Sequence, residues 1–206
     1  MDNQNLRQSF GIHPYKIFVY LIIAGISVLF LSLSLAYAYT RVQSNFPGIK
    51  LPWIFLLNTV VLLGSSIMLI RGKKHYQKDD GAELKQALLF TIIFTLIFLV
   101  GQIYGWIELF KRNISLPENN GMAYLYLISF VHFAHVLVGL PFLILFYRKA
   151  KRDIVEPVSA LLYFSDPMKK MKLDLLNVYW HFLDGLWIYL VIFFAVNYLL
   201  NFGIVS

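Results

Sequence analysis

The last apolar run of the chain is interrupted by Asp174, Asn177, His181 and Asp184. Spacings of three, four and three place all four on one stripe of a helix. Two more histidines, His132 and His135, stand three apart in the preceding run and share a face. Three histidines and a carboxylate form a donor set that could bind a metal or hold a haem between helices. The simpler alternative is a helix interface in which these groups satisfy one another, because ionisable side chains inside a bilayer turn towards protein. A metal reading needs ligand geometry that spacing does not supply. A bis-histidine haem needs a histidine on each of two facing helices, and on a second span only His181 is available. No Gly-rich phosphate loop, no Ser/His/Asp set and no paired carboxylates suited to acid–base work are present.

The elements that must position these residues follow from composition. Of 206 residues, 59% are hydrophobic and 14% charged, against roughly 45–50% and ~25% in soluble domains. The apolar residues gather into five runs, approximately 16–39, 52–70, 86–110, 122–147 and 175–202, each reaching the roughly 17–25 residues that span a bilayer. The predicted fold is an all-α integral membrane protein, one membrane domain over 1–206 with five transmembrane helices. There is no cysteine, which excludes disulfides, thiolate metal sites and thioether-linked haem. The first fifteen residues are polar and show no secretory signal, and no soluble domain is expected at either end.

The net charge of +7 belongs to the loops. Five spans put Arg7, Lys16, the loop from Arg71 to Lys85 and the loop from Arg148 to Asp174 on one side, with fourteen basic residues. Arg41, Lys50, Lys111 and Arg112 are the four on the other. Positive charge marks the cytoplasmic side, so the N-terminus is predicted inside and the C-terminus outside. No nucleic-acid partner is expected, and the Arg148–Arg152 cluster suits anionic lipid as an alternative to a purely topological role.

Each span carries its own packing signals. In the first, Ala24, Ser27, Ser34 and Ala38 fall on a face with Leu31 and are expected to meet a neighbouring helix. In the second, Asn58 and Ser65 share a face. In the third, Thr91, Thr95 and Gln102 form a stripe beside a GxxxG spacing at Gly101 and Gly105, which favours close helix contact. Asp79-Asp80-Gly81 reads as a turn or helix start. Pro157–Phe164, apolar between basic flanks, suits a segment lying at the membrane interface. At about 1.5 Å rise per residue, Asp184 comes within roughly 5 Å of His135 in depth, and Asp184 is expected to support packing of the fourth and fifth spans or assembly with a partner.

Several blocks carry a resemblance. Tyr179-Trp180-His181-Phe182-Leu183-Asp184-Gly185-Leu186-Trp187 resembles the YWHFVDxxW signature of cytochrome c oxidase subunit III, with Asp174 where that pattern usually has a Glu. Phe130 to Leu140 resembles the family's FHGLHVxxGL, keeping both histidines and placing Phe133 where the Gly stands. Leu57-Asn58-Thr59 with Ser65-Ser66 resembles its LNTxxLLxSS, and Gln102-Ile103-Tyr104-Gly105-Trp106 the Q-x-x-G-W form of some bacterial members. Two departures stand out. Many members have seven spans. They also commonly carry a buried Glu in the helix equivalent to the first span here, and aligning Phe30 and Ala36-Tyr37 puts Ile26 at that position.

The resemblance implies a non-catalytic subunit of a proton-pumping haem-copper oxidase of aerobic respiration, in a bacterial inner membrane. It implies haem and copper in partner subunits and none in this chain. It also implies packing on subunit I, contact with subunit II and other oxidase subunits, bound phospholipid, and support of proton uptake and turnover stability. A larger respiratory supercomplex is a further expected partner. His132, His135, His181, Asp184, Asp174, Asn177, Gln102 and Asn58 would then be structural polar groups. Alternatives are the equivalent subunit of a quinol oxidase or of nitric oxide reductase and, from a different class, a free-standing membrane haem or metal protein.

Overall fold

A computed structural model describes residues 13–44, 48–111 and 120–200. Six helices account for almost all of them: α1 (Pro14–Ser44), α2 (Trp53–Tyr76), α3 (Gly81–Lys111), α4 (Asn120–Asp153), α5 (Pro157–Ser165) and α6 (Pro167–Leu199). All but α5 are long and apolar enough to cross a membrane. Large apolar side chains such as Phe18, Leu21, Val28 and Leu35 stand exposed on them. In lipid, where backbone groups must be satisfied within the segment, that inside-out distribution is the stable one.

Local chemistry sets the helix ends. Pro14 starts α1, and prolines also open α5 and α6, using the position where a helix has no N–H partner to lose. Asp166 caps α6 by accepting a 2.8 Å hydrogen bond from the Met168 backbone N–H, so α6 begins well before the apolar run at Leu175. Glu156 and Ser159 form a reciprocal capping box on α5. Between α2 and α3 the chain reverses through Asp79, whose φ of 56° is a left-handed conformation that aspartate tolerates. Asp80 then caps α3: its carboxylate accepts from the Glu83 N–H at 3.2 Å and lies 3.2 Å from His75 Nδ1. The backbone N–H of Glu83 foremost, then His75, hold the Asp80 carboxyl below its ordinary range. The turn at Phe46-Pro47, the basic residue Arg112 and the end of the last run at Asn201 and Phe202 lie outside the described residues.

The α2–α3 hairpin is the most extensive contact in the bundle. A side chain at Gly101 would run into Asn58, and one at Gly105 into Phe55 and Ile54. The GxxxG spacing therefore lies at a close approach of the two helices, where packing drives association in lipid. α6 packs on α2 and α4, and α1 docks on α4 and α6. α4 and α6 thus stand between α1 and the hairpin.

α1 departs from its sequence expectation. Its buried face is Ile26, Phe30, Ser34 and Tyr37; of the expected seam Ser34 is buried on it, whereas Ala24, Ser27 and Leu31 are exposed and Ala38 is half-buried. Size explains the reversal. Tyr37 packs edge-on against Tyr124, Phe193 and Phe194 with ring centroids 5.4–5.9 Å apart, a dispersion gain that the small seam cannot match.

Candidate functional site

The polar stripe of α6 faces α2. At the basic end, Asp174 Oδ1 is 2.8 Å from Lys73 Nζ. Further along, the Ser66 hydroxyl is 2.8 Å from His181 Nδ1, and Asp184, 5% exposed, has its Oδ2 buried without a hydrogen-bond partner. Beyond that, Trp187 Nε1 donates to Thr59 Oγ1 at 3.2 Å. Thr59, Ser66 and Lys73 recur every seven residues along α2, and Trp187, His181 and Asp174 recur at six and seven in the opposite direction along α6. This is the spacing of two antiparallel helices in continuous contact. The periodicity identified the face, and the polar positions of α2 supply its partners.

Asn177 sits on the same stripe, and its amide donates to the Leu173 carbonyl of its own helix at 3.1 Å. Asn58 and Gln102 meet across the α2–α3 hairpin, the Asn58 amide donating to Gln102 Oε1 at 3.4 Å. Ser65, which shares a face with Asn58, is fully buried. Sequence reasoning placed no weight on Ser66, Lys73 or Thr59 as partners, and their seven-residue recurrence was the available signal.

The histidines of α4 lie elsewhere. His132 is fully buried, its ring enclosed by Phe30, Phe98 and Trp187 with centroids at 6.4, 5.9 and 5.3 Å. Neither of its ring nitrogens has a hydrogen-bond partner. His135 bonds the Val131 carbonyl through Nδ1 at 2.7 Å and stacks edge-on against Phe30 at 6.0 Å. Its own carbonyl accepts from the Tyr179 hydroxyl at 3.2 Å. His132 and His135 thus converge on Phe30 of α1, whereas His181 is engaged with α2. Among the described residues, no three His, Cys, Asp or Glu side chains form a group that could hold a metal ion. Ile26, one turn before Phe30, is buried on the packing face of α1.

A second polar cluster ties α5 to the bundle. Lys169 Nζ bridges to Asp153 at 3.0 Å and lies 4.0 Å from the Tyr163 ring centroid. The Tyr76 hydroxyl donates to the Tyr163 carbonyl at 3.4 Å. Burial, reinforced by Tyr76, Asp153 and Asp166, pushes the Tyr163 phenol above its ordinary value.

These contacts join helix to helix, while His132 Nδ1 and Nε2, Gln102 Nε2, Ser65 Oγ and Asp184 Oδ2 are buried without a hydrogen-bond partner. A family model for cytochrome c oxidase subunit III matches residues 31–198, from the middle of α1 through α6. The chain belongs to the cytochrome c oxidase subunit III family. Among its relatives, cytochrome c oxidase subunit 3 of Synechocystis is 28% identical over 179 residues, covering 84% of this chain and 72% of that protein. The probable cytochrome c oxidase subunit 3 of Rickettsia prowazekii is 28% identical over 150 residues, covering 72% and 49%. That of Corynebacterium diphtheriae is 27% identical over 138 residues, covering 66% and 62%. The match therefore spans about half of one of these subunit III proteins and nearly three-quarters of another. Within the family, the residues that carried the resemblance fall into the interfaces just described: Tyr179, His181 and Asp184 in α6, His132 and His135 in α4, Asn58 and Ser66 in α2.

Proposed function

We propose that the chain is a non-catalytic subunit of a proton-pumping haem-copper terminal oxidase, which passes electrons from cytochrome c to oxygen. The observation that carries this is the family match from α1 to α6, joined to a geometry in which the signature residues bind helix to helix. Haem and copper belong to partner subunits in this reading. The chain packs against subunit I, holds phospholipid, and supports proton uptake and sustained turnover. It lies in a bacterial inner membrane with its basic end, where Lys73 meets Asp174, on the cytoplasmic side. The excess of basic residues in the loops at that end supports this orientation.

The engagement of His181 with Ser66, away from the His132–His135–Phe30 cluster, favours this reading over a free-standing haem or metal protein. The test is isolation of the tagged chain from its native membrane in a mild detergent. A large haem-bearing membrane subunit co-isolating in fixed ratio is the expected result. Recovery of the chain without any haem-bearing partner, from membranes with active oxidase, would contradict it.

A further inference from the structure

The short helix α5 has its apolar face turned away from the bundle. Val158, Leu161 and Leu162 lie on one side of it, at i, i+3 and i+4, and are 68%, 63% and 71% exposed. Val155, just before the helix, is 75% exposed. The opposite side is moored: Tyr163 is 1% exposed, Phe164 stacks edge-on against Tyr76 at 5.1 Å, and Lys169 covers the Tyr163 ring. The helix therefore cannot roll to hide its valine and leucines without breaking those contacts.

Depth and charge identify what covers this face. The charged residues that close the apolar spans at this end include Arg71 in α2 and Arg148 in α4. α5 is moored by Tyr76, five residues beyond Arg71, and by Lys169, which covers the Tyr163 ring and is itself bridged to Asp153, five beyond Arg148. At about 1.5 Å per residue this places α5 about 7 Å outside the hydrocarbon boundary. The headgroup layer is about 5–7 Å deep on each side, the difference between about 30 Å of hydrocarbon and about 40–45 Å of whole bilayer. An amphipathic helix at that level buries its apolar face about 5–10 Å into the headgroup and acyl boundary. Around it stand the exposed side chains of Lys149, Lys151, Arg152, Lys170 and Lys172. Of the nearby acids, Asp153 is bridged to Arg152 and Lys169, Asp166 caps α6, and Glu156 at the head of α5 is an exposed carboxylate set against the five cations.

We propose that α5 is an interfacial anchor, with its Val158–Leu161–Leu162 face set into the adjoining leaflet and the surrounding lysines and arginines holding anionic phospholipid headgroups. The inference rests on membrane insertion alone and is independent of which electron donor the oxidase uses. It assigns a lipid contact to the loop end of the bundle, separate from any lipid between its helices.

The chain has no cysteine, so a nitroxide at Leu162→Cys in the assembled complex is read against unsubstituted complex as background. In nanodiscs containing phosphatidylglycerol, the label should be relaxed more by oxygen, which concentrates in lipid, than by a water-soluble nickel chelate. Dominance of the nickel chelate would show a face in water. Protection from both would show a face covered by a protein partner. Either result overturns the proposal. The second variant keeps the apolar face and removes charge: Lys149→Gln with Lys151→Gln and Lys170→Gln. Retention of phosphatidylglycerol by the complex should fall about fivefold for each lysine removed. Unchanged retention of that lipid would overturn the headgroup assignment, whether or not the label remains in lipid.

Discussion

Replacing Gly101 by alanine puts a methyl group against the Asn58 amide oxygen, at a separation that no real contact sustains. The Asn58 side chain can swing away, and doing so breaks its hydrogen bond to Gln102. Asn58 is 2% exposed and Gln102 fully buried, so both amides would be left without partners at membrane depth. Leaving a buried polar group unsatisfied costs about 1–3 kcal/mol. Against this, alanine in place of glycine gains about 0.8–1.0 kcal/mol of helix propensity. With two such groups the balance is a net loss of at least about 1 kcal/mol, a fall in Tm of at least about 2–4 °C for a chain of this size. Thermal unfolding of the purified protein in detergent, followed by the helical circular dichroism signal, measures it. The decisive arm is the same substitution in an Asn58→Ser background. The shorter side chain leaves room for the methyl group, so Gly101→Ala should there become neutral or stabilising. An equal Tm fall in both backgrounds, or a rise in the parent, would refute the close-approach reasoning.

The remaining predictions concern the α2–α6 seam and the α3 cap. A double-mutant cycle of Ser66→Ala and His181→Leu should give a favourable coupling of about 0.6 kcal/mol and no more than about 1.7 kcal/mol, read from reversible unfolding in mixed micelles; zero coupling would detach His181 from α2. Lys73→Ala should cost less than about 1 kcal/mol in the same measurement, because the Lys73 and Asp174 side chains are 42% and 39% exposed and screened. The carboxyl of Asp80 is depressed by the hydrogen bond from the Glu83 N–H and by His75. Its contribution is therefore complete above the unfolded pKa near ~3.9 and is lost as pH falls through the lower folded value. Hydrogen exchange in the first turn of α3 should accelerate over that acid window, and Asp80→Asn should remove the pH dependence.

Much of the bundle could be read from the sequence because the bilayer leaves few choices. A run such as Leu88–Val100 reads as a helix in lipid, and a close helix contact, though not its partner, was legible in Gly101 and Gly105. The helix ends were less legible. α6 starts at Pro167, beneath the Asp166 cap, and α4 continues to Asp153, because a helix outlives the hydrocarbon wherever capping and basic side chains keep it soluble. The neighbours of each face were least legible. Periodicity showed that Asp174, His181 and Asp184 share a stripe, yet which helix lies opposite depends on the whole packing arrangement. That arrangement puts Thr59, Ser66 and Lys73 there and sends His132 to Phe30, Phe98 and Trp187. On α1, small residues suggested one face, and the bulk of Phe30 and Tyr37 selected another.

The central claim is that this chain holds helices and partners together beside redox centres it does not itself carry. Its most direct test is to isolate the assembled complex, record its reduced-minus-oxidised spectrum, dissociate this chain, and measure haem and copper in both fractions. The haem spectrum should stay with the large partner subunit, and the separated chain should retain neither haem nor copper. Stoichiometric haem or copper remaining on the chain, and lost on substitution of His132, His135 or His181, would contradict the claim.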